Sequence, residues 1–232
     1  MDQKRLSLQP RLRRLAELVP AGCRLTDVGT DHGYLPVSLL QQGRIASAIA
    51  SDIGAEPLEH ARRTAAACKV EGLSFRLCPG LAAIAPEETD VIVIAGMGGE
   101  TILAILQAAP WTKDGRHCLL LQPMTKTADL RRWLVDNGYT FTGEYLVEDK
   151  GRIYPILCVC GGVHRPLTQA EALCGVLLDG DPLYGAYLDE HIARLRRSAA
   201  GLRQSSDPAL AAQAAEGEAL AAELEEKRRL LL

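Results

Sequence analysis

The sequence predicts an α/β fold: a mostly parallel sheet with helices on both faces, an antiparallel hairpin at one edge, and a C-terminal α-helical hairpin. Three observations carry this. Between residues 24 and 160, short β-like runs alternate with stretches of helical length, the pattern of a parallel sheet whose crossovers are helices. Val91-Ile92-Val93-Ile94-Ala95 is apolar without interruption and ends at Gly96, as a strand covered on both faces requires. After Gly161-Gly162, β-branched residues thin out and Ala, Leu, Glu and Arg dominate. The expected domains are therefore 1–162 and 163–232.

Each element has its own signal. Leu8, Leu12, Leu15, Leu18 and Val19 recur at helical spacing, giving one apolar stripe on a short basic helix. Strands are expected at 24–28, 45–51, 73–77, 91–95 and 117–121. Helices are expected at 35–41, 56–69, 101–108 and 128–137, the last stopped by Gly138. The runs 141–147 and 153–159 have no helix between them. Lys150-Gly151 reads as a turn, so they should form the edge hairpin. Further on, Leu188, Ile192, Leu195, Ala199 and Leu202 repeat at steps of 4, 3, 4 and 3, and Leu220, Leu224 and Leu231 continue the pattern. Ser205-Ser206-Asp207-Pro208 is a turn and helix start. Two long helices should fold back as an antiparallel pair with a coiled-coil seam, and Asp181-Pro182 should separate them from a shorter helix.

Composition narrows the class. Of 232 residues, 47% are hydrophobic and 24% charged, an ordinary globular balance that excludes a disordered or collagen-like chain. Aromatics are only 4%, so the core must rest on Ala, Leu, Ile and Val. No apolar run is long enough for a membrane helix, and residues 1–15 lack the apolar block of a secretion signal. The cytoplasm is the expected compartment. The seven cysteines include no C-x-x-C pair, so neither a disulfide framework nor a metal is expected. A monomer is the starting expectation. The net charge of −3 does not announce a nucleic-acid binder, but Lys4, Arg5, Arg11, Arg13 and Arg14 cluster at one end and Arg194, Arg196, Arg197 and Arg203 at the other. Such patches can hold phosphates on a mildly acidic molecule.

The most informative stretch is Asp27-Val28-Gly29-Thr30-Asp31-His32-Gly33-Tyr34-Leu35-Pro36. It joins the first strand to the first helix, where open α/β sheets bind nucleotide-like ligands. It is not the G-x-G-x-x-G fingerprint of a dinucleotide site, and it carries carboxylates at 27 and 31. A pyrophosphate is repelled there, whereas a cation is attracted. S-adenosyl-L-methionine, which carries a sulfonium and an ammonium and no phosphate, suits the turn better than NAD. Asp52, closing the second strand, can take both ribose hydroxyls; it can also serve as a turn or cap residue. The three glycines of Ala95-Gly96-Met97-Gly98-Gly99 should leave backbone groups open where donor and acceptor meet. Leu121-Gln122-Pro123-Met124 should form a second loop on the same rim.

These motifs, together with the basic first helix and the helical C-terminus, resemble the bacterial tRNA (adenine-22-N1)-methyltransferase family over nearly the whole chain. The resemblance implies a class I methyltransferase fold, Rossmann-like with seven strands, S-adenosyl-L-methionine as donor and tRNA as substrate. Residue by residue, Asp27, Gly29, Asp31 and His32 match the family's first donor motif, Asp52 its acidic ribose position, and Gly96, Met97, Gly98 and Gly99 its loop beside the methyl group; Thr30, Ile53, Gly80, Leu81 and Ala95 are also expected at the donor, and Gly99 and Gln122 at the substrate. Two positions depart from the family pattern. Cys78-Pro79-Gly80-Leu81 stands where Gly-Asp-Gly-Leu is frequent, so a polar contact to the adenine is missing or comes from a backbone amide. Met124 stands where Asn is frequent.

N1 of adenine has an in-plane lone pair and needs no general base; the enzyme must align the reactants and exclude water. Asp31 is expected to oppose the charge of the cationic product or to hold the exocyclic amine, and His32 to assist proton loss. Either could instead support the methionine end of the donor. The target base must leave its stack, with phosphate contacts from Arg11, Arg13, Arg14, Arg194 and Arg197 offsetting that cost. Methyl transfer to another RNA, a small molecule or a protein, a nucleotide-dependent oxidoreductase, and a non-catalytic nucleotide-binding scaffold are the competing readings.

Overall fold

In a computed structural model, residues 6–204 and 207–231 are described; the expectations for Lys4, Arg5, Ser205 and Ser206 lie outside them. The chain divides into two compact units, Met1–Arg165 and Pro166–Leu232.

The first unit is built on β1 (Arg24–Val28), β2 (Ser47–Asp52), β3 (Leu73–Leu77), β4 (Val91–Gly98), β5 (Cys118–Thr125), β6 (Tyr139–Asp149) and β7 (Arg152–Gly161). They form one sheet in the order β3-β2-β1-β4-β5-β7-β6. The first five are parallel, and β7 runs antiparallel to both β5 and β6. After β1 the chain steps outward to β2 and β3, then returns to place β4 on the other side of β1. The loops after β1 and β4 therefore diverge and open a crevice at the carboxyl ends of the strands. Lys150 and Gly151 turn the hairpin with φ of 52° and 72°, the left-handed pair that matches strand twist.

Helices cover the sheet: α1 (Pro10–Leu18), α2 (Tyr34–Gln41), α3 (Ala55–Cys68), α4 (Gly99–Ala108) and α5 (Thr127–Asp136). The stripe of α1 packs as its spacing predicts: Leu8, Leu15 and Val19 are buried in one cluster with Leu25, Leu35, Leu39, Val93, Leu120 and Ile156, and Leu12 and Leu18 lie against it. This anchors α1 beside the strand ends.

Two strands run further than the sequence suggests. Instead of ending at Ala95 and opening into a loop, β4 continues to Gly98, and β5 continues past Gln122 to Thr125, with register shifts between Ala95, Met97 and Gly98. Gly96 sits at φ 76°, and Pro123 lacks the N–H of a regular ladder. Both residues read as breakers, yet here they bend a paired edge.

The second unit holds α6 (Gln169–Cys174), α7 (Tyr184–Leu202) and α8 (Pro208–Arg229). α7 and α8 pack antiparallel: Arg196 pairs with Glu225 at 2.7 Å, Arg203 with Glu218, and Arg228 with Asp189 at 3.3 Å. Leu188, Ile192 and Ala199 are buried on one helix and Ala214, Leu220, Ala221 and Leu224 on the other. Asp207 caps α8, its Oδ1 accepting from the Ala209 N–H at 2.9 Å. Asp207→Ala is expected to cost about 1 kcal/mol, read as a small downward shift in the thermal unfolding midpoint.

Candidate active site

The crevice contains two clefts that share Gly29. One, of about 520 Å³, is lined by Asp27, Gly29, Thr30, Asp31, His32, Tyr34, Ala95 and Gly96, with Gln9, Arg11, Leu12 and Leu35. The other, of about 480 Å³, is lined by Val28, Gly29, Asp52, Ile53, Pro79, Gly80 and Met97, and by Thr101, Ala104, Ile105 and Ala108 of α4. The first is ringed by carboxylates and aromatic rings. The second is mostly aliphatic, and Ile53 stands 77% exposed at its mouth.

Gly29 is the hinge between them. Its φ is 70°, and a Cβ there would run into the Met97 methyl. The absence of a side chain thus lets Met97 of β4 lie across the turn after β1. Gly80 does the same on the far wall, with φ 56° and an ideal Cβ 2.9 Å from Ile105 Cγ2.

Acidic groups are held at defined places. Asp27, at the end of β1, is buried and its Oδ2 accepts the Thr30 hydroxyl at 2.6 Å. Burial pushes its carboxyl up to about 6; the Thr30 bond opposes this and neighbouring Asp52 adds to it. Asp52 Oδ1 accepts the Gly54 N–H at 2.9 Å and its Oδ2 accepts the Asp31 N–H at 3.4 Å. This pins the turn at Asp31, whose φ of 51° is unusual for a residue with a side chain. The Asp31 carboxylate itself points outward and lies 3.8 Å from His32 Nε2.

Several residues expected at the site do not line either cleft. Leu81 is 3% exposed in the core, while Pro79 and Gly80 before it reach the cleft. Gly99 is buried: a Cβ there would lie 2.7 Å from the Lys126 carbonyl oxygen, so this glycine brings α4 against the end of β5 rather than opening a rim. Gly98 is the last residue of β4. Gln122 is fully buried. Its Oε1 accepts the Gly96 N–H at 3.2 Å, and its Nε2 donates to the Pro123 carbonyl at 3.0 Å.

The arginines also differ from an open basic patch. Arg11 Nε donates to Asp149 at 2.8 Å, and Nη1 donates to Gln122 Oε1 at 3.0 Å and Met124 Sδ at 3.4 Å. Its guanidinium therefore fastens α1 to the ends of β5 and β6. Arg13 donates to the Leu8 carbonyl at 3.3 Å, and Arg14 pairs with Glu17 at 2.9 Å. On α7, Arg194 contacts His191 Nδ1 at 2.5 Å, Arg196 and Arg203 bind α8, and Arg197 is exposed.

Sequence reasoning assigned no role to Tyr34, Asp149 or the inner face of α4. Thr101, Ala104, Ile105 and Ala108 do carry a signal, helical spacing with small or branched side chains. Asp149 carries none, since its partner Arg11 is 138 residues away.

A doubly flanked parallel sheet with an antiparallel last strand and a crevice of this kind is the framework of a methyltransferase, and the profile of the methyltransferase domain family matches residues 8–157. The tRNA (adenine(22)-N(1))-methyltransferase of Bacillus subtilis is 33% identical over 184 residues, 79% of this chain and 75% of the relative. The chain belongs to that family. The crystal structure of the B. subtilis m1A22 tRNA methyltransferase TrmK superposes with a TM-score of 0.79 at 28% identity, covering 97% of each chain. Streptococcus pneumoniae Sp1610 in complex with S-adenosyl-L-methionine gives 0.80 at 32% identity, covering 92% of this chain and 97% of that one.

Proposed function

We propose that this chain transfers the methyl group of S-adenosyl-L-methionine to N1 of adenine 22 in tRNA, with residues 1–162 as the catalytic domain and 163–232 as a helical domain for tRNA. The observation that carries the reading is the pair of clefts meeting at Gly29. An adenosyl group needs an apolar slot with a hydrogen-bonding ribose end, and an amino-acid tail with two positive centres needs an acidic one. The aliphatic cleft suits the adenine, with Ile53, Gly80 and Ile105 as walls and Asp52 at the ribose. The acid-lined cleft suits the tail, with Asp27, Thr30 and the backbone of Gly29 and Asp31. Met97 lies across the join, and Ala95, Gly96 and Gly98 belong to the bent strand end beside it.

Bound S-adenosyl-L-methionine supplies an electrophilic methyl group on a sulfonium, and the methylated adenine becomes a cation. The protein's part is to align N1 with that methyl and keep water out, a contribution worth up to roughly 7–11 kcal/mol in ideal alignments. Arg11, Gln122 and Gly96 form a hydrogen-bonded chain that fixes the edge along which the base must lie. Arg11 thus acts as a positioning residue rather than a phosphate ligand. Asp31, exposed beside the cleft, opposes the new charge on the base, and His32 forms part of the same wall of the cleft.

Incubation with tRNA and isotopically labelled donor, followed by nucleoside mass spectrometry, should give labelled 1-methyladenosine. No label should appear on tRNA with another base at position 22. Label on a different nucleoside, or undiminished label on the substituted tRNA, would exclude the reading. Phosphate contacts fall to Arg13, Arg14, Arg194 and Arg197. Affinity for tRNA should drop steeply with added salt, and Arg197→Ala should flatten the log–log slope by about 0.7–0.9. A wild-type slope near zero would remove the arginines from binding.

A further inference from the structure

We infer that Tyr34 is the stacking platform for the target base, held by a column of two histidines beneath it. This rests on the methyl-transfer reading above and adds the residue that receives the acceptor.

The His32 ring runs parallel to two others: Tyr34 at 5.2 Å between centroids and 10° between planes, and His60 at 4.8 Å and 8°. The backbone builds this column. Gly33 takes φ 67°, and a Cβ there would sit 3.0 Å from Ala61 Cβ, so the start of α2 approaches α3 closely and brings His60 under His32. Tyr34 tops the stack at the first turn of α2. It lines the 520 Å³ cleft and is 41% exposed while its ring is stacked on His32.

Asp31, His32 and His60 also place one possible metal-ligating atom each within 4.8 Å of one another. An imidazole nitrogen binds an ion along its lone pair, in the ring plane, and His32 and His60 are stacked within 8° of parallel rather than turned edge-on toward one point. The geometry favours stacking over chelation.

A cleft of this size holds a whole drug-sized ligand, more than an amino-acid tail fills. Beyond the carboxylates, the remaining space is bounded by Tyr34, Arg11, Leu12 and Gly96. A flat purine stacked on Tyr34 would lie between these neighbours with its N1 edge toward Gly96. Stacking also serves the chemistry: positive charge moves onto the purine during transfer, and the face of an electron-rich ring attracts a cation. The platform therefore holds the transition state more tightly than the neutral base.

The test compares Tyr34→Phe, which keeps the ring, with Tyr34→Leu, which keeps apolar bulk without it. Each is assayed for kcat/KM on tRNA, for donor affinity by calorimetry, and for the fluorescence of bound tRNA carrying 2-aminopurine at position 22. The phenylalanine variant should fall no more than about threefold. The leucine variant should fall about 5- to 150-fold, the range of one base–aromatic stack. Donor affinity should stay within about twofold in both, and the 2-aminopurine should be brighter in the leucine complex, where no ring quenches it. Full activity in Tyr34→Leu, equal losses in both variants, or a donor affinity that falls as far as activity would overturn the platform. If the wild-type protein itself fails to methylate adenine 22, the broader reading fails and the platform with it; if only the variants depart from expectation, the platform alone fails.

Discussion

Replacing Arg131 with alanine is expected to destabilise the sheet-bearing unit by about 3–5 kcal/mol, the cost of breaking a buried ion pair from one side. Arg131 lies on α5 and Glu144 on β6, with Nε and Oε1 2.8 Å apart and both side chains at 0% exposure. Alanine removes the guanidinium and leaves that carboxylate in a medium that penalises charge. For a domain of this size the thermal midpoint should fall by ~10 °C or more. Arg131→Met combined with Glu144→Leu should recover most of the loss, because an apolar pair of similar volume needs no desolvated charges. Chemical denaturation of the two proteins decides it. A loss below about 1 kcal/mol in Arg131→Ala would mean that the pair contributes little to holding α5 on the edge hairpin.

Arg131 also shows where sequence reading stops. An arginine in an Ala–Leu–Arg helix reads as a solvated face, and nothing at positions 128–137 marks this one as buried. The reason lies across a strand, in Glu144. The same holds for Arg11. Its setting among cations suggested phosphate binding, but its partners Gln122, Met124 and Asp149 come from the far ends of β5 and β6. The alternation that sets the sheet is local, so strands, helices and the turn at Lys150-Gly151 were legible. So were the acid-lined bend at 27–31 and the place of Asp52, because the loop after the first strand of such a sheet faces the crevice. What was not legible depends on closure in three dimensions. Gly96 and Pro123 look like strand ends, yet pairing with each other's strands carries both through a bulge. Leu81 follows a cleft glycine in sequence but points into the core, since successive side chains need not share a surface. Tyr34 stood in the most informative motif without a role, because only the approach of α3 gives its ring a fixed orientation.

Asp27→Asn is expected to make the donor-free protein more stable while weakening donor binding. The carboxyl of Asp27 is raised to about 6 from an ordinary 3.8, with burial as the main cause. Below about pH 3 the side chain is protonated in both the folded and unfolded chains, and no penalty arises. As the pH climbs from 4 to 6 the unfolded chain ionises first, so folding becomes progressively less favourable. Above 6 the full penalty, roughly 3 kcal/mol, is in place. Asparagine carries no such penalty, and its side-chain oxygen can still accept the Thr30 hydroxyl. At pH 7.5 the variant should therefore be more stable by up to that amount, and the gain should shrink by pH 4 and vanish below about pH 3. A charge kept in place at this cost has a use if a cation arrives to meet it. Donor affinity should fall about 10- to 150-fold in the variant, the worth of a hydrogen bond to a charged partner. In the wild type it should weaken as the pH drops through 6. Calorimetry with S-adenosyl-L-methionine and with S-adenosylhomocysteine then locates the contact. Both carry the ammonium, so an equal loss for the two puts Asp27 at the amino-acid end, whereas a loss confined to the donor puts it at the sulfonium. Undiminished affinity for both, with no gain in stability, would show that the buried carboxylate neither costs folding nor attracts the donor.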